Sequence, residues 1–164
     1  VQGTVDFISG HYFSSMHDLR ARGVKAEDVT VMRYSDFGLD VYGNCIIVSP
    51  DMLQNPKAVT GFLAATIKAW KDVIADPKSG IAAAKKRDPL IDDALEMERL
   101  KLSLETNIIT PYVKANGMGD VDPARFARSV KDVAEAFGLP AAPAPEKVFT
   151  NKFLPPKAER MVAP

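Results

Sequence analysis

The sequence predicts an α/β fold, three short strands followed by a mostly helical C-terminal portion, and three observations carry it. Residues 4–9 (TVDFIS), 29–34 (VTVMRY) and 44–49 (NCIIVS) are short β-prone runs, the first ended by Gly10 and the third bounded by Gly43 and Pro50. From Val59 onward, apolar residues instead recur at the helical period. Four Asp/Asn-Pro pairs punctuate that second part, each where a helical pattern begins.

The elements follow in order. Gly10 ends the first strand, and a helix follows over roughly 14–22 with Met16 and Leu19 on one side. Gly23 is placed to stop it in a left-handed cap. The second strand then makes the default arrangement a parallel βαβ unit. The third strand lies between Gly43 and Pro50. Next comes a stripe of Val59, Phe62, Leu63, Ile67, Trp70, Val73 and Ile74, with Trp70 as core anchor. An Asp or Asn before proline caps a helix while proline fills its first position. Helices are therefore expected over 56–75, 77–86, 89–107 and 123–137. The last presents Phe126, Val130, Val133, Ala134 and Phe137 and stops at Gly138. Residues 141–145 read as a proline-rich linker, 148–154 as a short docking element, and 155–164 as a flexible tail.

Three strands are few for a doubly wound sheet. The sheet is expected to be completed by another chain or by more of a longer protein, and an exposed sheet edge would invite self-association.

Composition excludes several functions. Lys plus Arg equals Asp plus Glu, 21 each, so no basic footprint favours nucleic acid or an anionic membrane. No apolar run approaches the ~18 residues of a membrane span. The lone Cys45 cannot form an internal disulfide and reads as a small buried hydrophobe. His11 and His17, six apart, share neither a helix face nor a strand face, and no metal-ligand spacing accompanies them. Nucleophile-elbow and phosphate-loop patterns are missing, so no catalytic residue, metal or cofactor is assigned. Asp92, Asp93, Glu96 and Glu98, sharing a helix with Arg99 and Lys101, read as a solvated, salt-bridged face. Lys85, Lys86 and Arg87 read as a helix C-terminal charge complement.

Two segments carry more chemistry than a connection needs. Residues 9–15 (SGHYFSS) leave a strand and enter a helix, where open α/β sheets bind ligands. They offer helix N-terminal amides, hydroxyls, an imidazole and two aromatic rings; a purely structural His11 is the competing reading. Residues 34–44 (YSDFGLDVYGN) mix aromatics, acids and glycines without helical period, as either an ordinary loop or a cleft-lining crossover.

The order of VDFISGHYFSSMHDLRARGV, VTVMRYSDFGLDVYGNCIIVSPDML, NPKAVTGFLAATIKAWKDVIADP and VFTNKFLP resembles the C-terminal half of ABC-transporter substrate-binding proteins of the NMT1/THI5-like family. That group includes binders of thiamine-pyrimidine precursors, sulfonates, taurine and nitrate. The resemblance implies part of a two-lobed, type II periplasmic-binding-protein fold. Residues 1–34 would end the second lobe, 35–43 cross between lobes, and 44–154 return to the first. It implies a small polar or aromatic ligand held by Ser9, Gly10, His11 and Tyr12, with Asp36 and Tyr42 from the second segment. It also implies a membrane permease as partner and a periplasmic, or lipid-anchored extracytoplasmic, setting. Two alternatives share the superfamily. One is a thiamine-pyrimidine-synthase-like enzyme, whose cysteine-rich iron motif has only Cys45 to answer it here. The other is a sensor domain.

Overall fold

The computed structural model describes residues 2–162. It corrects the fold class. The described residues are mostly helical, and none lies in a β-strand. Residues 4–9, 29–34 and 44–49 carry the side chains of strands but find no ladder. Val29 (φ −116°, ψ 118°) and Arg33 (φ −83°, ψ 137°) are extended at the two ends of the second run. Among the described residues, no backbone hydrogen bond joins these runs to one another. Local β-propensity sets extended dihedrals, but a strand exists only where a neighbour supplies donors and acceptors. The apolar side chains that a sheet would cover therefore stand in solvent: Phe7 is 86% exposed and Ile47 88%. The α/β architecture and its three strands are set aside.

Helix starts follow the sequence closely. Helix α1 spans Tyr12–Ala21 and ends as Gly23 takes φ +82°, with Gly23 N–H bonded to Arg20 O and Val24 N–H to Leu19 O. Helices α2 (Pro56–Ala75), α3 (Pro77–Arg87) and α6 (Pro123–Ala136) each begin on the proline of an Asn/Asp-Pro pair. The Asp76 carboxylate caps α3 through Lys78 and Ser79 N–H, and Asp122 caps α6 through Arg125 N–H at 2.7 Å. Asp88-Pro89 behaves otherwise. Asp88 closes α3 and accepts from Leu90 N–H, so residues 88–91 turn. Helix α4 starts only at Asp93, capped by Asp92 through Ala94 and Leu95 N–H, both at 2.9 Å. It runs to Ser103 and widens into a π turn, Leu104–Ile108. The short helices α5 (Pro111–Asn116), α7 (Pro145–Val148) and α8 (Lys157–Arg160) complete the set.

The chain divides into two compact units. The first holds residues up to Met32 with Ala69–Thr110, the second Arg33–Lys68 with the residues from Pro111 on. In the first unit α4 packs on α1 and on α3, burying Met16, Ile81 and Leu104. Trp70, the expected anchor, is half-buried. The second unit buries Val59, Ile67, Met118, Ala134 and Val162. Of the apolar face expected on α6, Phe126 and Val130 are half-buried and Ala134 buried, whereas Phe137 is 79% exposed.

Residues 155–162, read from the sequence as a flexible tail, contain α8 and the buried Arg160. The Arg160 guanidinium donates to Pro155 O (3.0 Å) and Met118 O (2.7 Å) and lies 3.6 Å from Asp120. Its own carbonyl accepts from Met118 N–H. Gly117, at φ +81°, leaves room for this: a Cβ there would lie 3.0 Å from Arg160 Cβ.

Candidate functional site

The first candidate segment lies in the first unit at the start of α1. Ser9, Gly10 and His11 are exposed and Tyr12 is half-buried. His11 takes the N-cap position but contributes no side-chain cap, and no acid lies in the first turn. Its carbonyl accepts from Ser14 and Ser15 N–H. Its ring is free to stack on Phe13, with centroids 5.6 Å apart and planes at 22°. Ser15 folds back over Gly10, so that a Cβ at Gly10 would lie 2.4 Å from Ser15 Oγ. The result is an uncapped helix start, positive by its dipole, flanked by hydroxyls and a stacked pair of rings.

The second segment lies in the second unit. Asp36 sits exposed on the 3₁₀ turn Tyr34–Phe37, which Gly38 closes at φ +92°. Tyr42 has different company. Its hydroxyl accepts from Asp122 N–H at 2.8 Å, and the Arg125 guanidinium lies 4.2 Å over its ring. Phe126 stands tilted beside it at 6.0 Å. Arg125 also meets the Asp40 carboxylate at 2.8 Å and donates to Asp40 O and Val41 O. Ser129 Oγ donates to Asp40 O at 3.1 Å. Residues 40–42 are thus held on α6 by charge, hydrogen bonds and a cation–π contact. The sequence singled out Tyr42 but missed Asp40, Arg125 and Ser129. Arg125 and Ser129 lie over eighty residues from Asp40 along the chain, beyond any spacing rule.

Tyr112 borders the same cluster. Its hydroxyl donates to Val121 O at 2.6 Å. Burial, then the negative charge of Asp120, raises its phenol above the ordinary 10.0.

A polar seam that the sequence did not reveal joins α1 to α4. His17 Nε2 lies 3.6 Å from Glu96, both side chains being 15% exposed. Glu96 also pairs with Arg99, and Arg20 meets Glu98 at 3.0 Å. Glu96 is therefore not part of a solvated face, although Glu98 is exposed. Among the described residues, buried His17 Nδ1 has no hydrogen-bond partner. Lys85 meets Asp93 at 2.6 Å across the α3–α4 turn, in keeping with a basic helix end. Beside the seam an open groove of about 490 Å³ is lined by Arg20, Val24, Lys25, Glu27, Leu95 and Glu98. None of the six expected ligand contacts lines it. Cys45, expected to be buried, is exposed, because the strand that was to enclose it does not form. Among the described residues, no group of three or more His, Cys, Asp or Glu is placed to hold a metal ion, and no helix is long and apolar enough to cross a membrane.

Comparison with known proteins gives one match. No curated protein and no solved structure matches the chain. Residues 1–80 match the family model described as NMT1/THI5 like, and that stretch, from before α1 into α3, is similar to this family.

Proposed function

We propose that this chain belongs to the solute-binding component of an ABC importer and helps to hold a small polar or aromatic metabolite. The observation that carries the reading is the NMT1/THI5-like match over residues 1–80, which contains both segments singled out by their chemistry. The uncapped start of α1 supports it in kind. Its amide dipoles and the Ser9, Gly10 and His11 stretch suit an anionic or polar group, with the ring of Tyr12 beside them. In this reading Tyr42 sets the course of its loop through Asp122 and Arg125. No catalytic step is assigned to any residue. The membrane permease and the periplasmic setting of such importers come with the proposal.

Thermal shift against a panel of pyrimidines, sulfonates, taurine and nitrate tests it. A true ligand at about 100 times its dissociation constant stabilises the folded state by roughly 2.7 kcal/mol. His11→Ala is expected to abolish most of that shift while leaving the ligand-free transition in place. A panel with no stabilising member sinks the reading.

A further inference from the structure

We infer that residues 44–49 are a self-association site, at which two copies of this chain pair antiparallel about Ile47. The segment (NCIIVS) is held at both ends and open between them. Upstream, Asp40 and Val41 carbonyls accept from Arg125, and Tyr42 accepts from Asp122. Downstream, Ser49 O accepts from Leu53 N–H and Ser49 Oγ from Met52 N–H. Between these anchors, the backbone groups of residues 43–48 make no hydrogen bond to any described residue. Ile46 is 48% exposed and Ile47 88%. A β-prone segment fixed at its ends loses little further freedom when a second segment pairs with it.

The charge pattern selects the occupant. Residues 44–49 carry no charge, whereas residues 4–9 contain Asp6 and residues 29–34 contain Arg33. Pairing either of those runs with its own copy would bring two like charges into one short ladder; residues 44–49 alone escape this. The chain's formal net charge of zero removes the wider repulsion between copies. Two-fold symmetry about an axis normal to the ladder requires a residue to face its own copy. With Ile47 at the axis, Ile47 faces Ile47, Ile46 faces Val48, and Cys45 faces Ser49. Every central pair is then apolar, and the polar residues fall at the ends. Pro50, with no N–H to donate, ends the ladder.

Sedimentation equilibrium through the micromolar range tests the proposal. The wild-type chain is expected to dimerise. Ile47→Lys, which sets two ammonium groups face to face, is expected to be monomeric with an unchanged helical circular dichroism signal, since Ile47 is 88% exposed in its own chain. Ser49→Cys provides a second measurement, because it is expected to yield a Cys45-to-residue-49 disulfide between copies under mild oxidation. A monomeric wild type, an undiminished dimer in Ile47→Lys, open-ended assembly, or no cross-link in Ser49→Cys would each overturn it.

Discussion

Tyr112 shows how one half-buried hydroxyl ties stability to alkaline pH. Its raised phenol pKa means that the fold resists ionisation, mainly through burial and then through Asp120, Tyr42 and Asp122, against a lowering by Arg160. Below 10.0 both folded and unfolded chains keep the proton, and the contribution is complete. As pH rises past that value the unfolded chain ionises first, so stability falls until the raised folded value is passed. Tyr112→Phe removes the hydrogen bond to Val121 O and is expected to cost about 1 kcal/mol at neutral pH. The same variant should flatten the alkaline loss of stability, read by urea denaturation at pH 7 and above pH 10. An unchanged alkaline slope would show that another group governs it. Arg160 illustrates the opposite case, a full charge kept inside by several acceptors. It satisfies two carbonyls and faces Asp120, so its burial is consistent with the rule that interior charges come with partners.

Capping decides the helices, and here the sequence was most legible. Asp76-Pro77 and Asp122-Pro123 announced the starts of α3 and α6 to the residue, because a cap and an N1 proline act within three positions. Asp88-Pro89 misled by the same rule: Asp92, four residues on, holds two amides and wins the helix start. Asp92→Ala is expected to lower stability by about 1 kcal/mol and fray the first turn of α4, seen as faster hydrogen exchange at Ala94 and Leu95. Unchanged exchange would show that packing against α1 and α3 holds that turn without its cap. The three β-prone runs were legible only as propensity, since a ladder depends on a partner that local sequence does not contain. Likewise the β-prone run around Cys45 and Ile47 indicated a strand, and the structure leaves both exposed. The site divides in the same way. His11 and its neighbours were visible as a local cluster, whereas the Asp40–Arg125 lock and the His17–Glu96 pair unite distant residues of no particular spacing.

At the scale of the whole molecule, each unit is assembled from two separated stretches of chain, and α2 begins in one and ends in the other. Asp92 belongs to the first unit and Tyr112 to the second, and they share no partner. The double variant Asp92→Ala/Tyr112→Phe should therefore lose the sum of the two single losses, to within about 0.5 kcal/mol in chemical denaturation. A larger discrepancy would reveal energetic coupling transmitted between the units. The interleaving also sets a timetable for synthesis. Residues 33–68 leave the ribosome before Asp122, Arg125 and Ser129, which hold residues 40–42, have been made. At roughly 5–20 residues per second, translating from residue 49 to residue 129 takes about 4–16 s. For that interval the uncharged run at 44–49 hangs from a nascent chain without its upstream anchor, in reach of the same run on neighbouring nascent chains, so the dose of ribosomes on one message becomes a variable in how the protein matures.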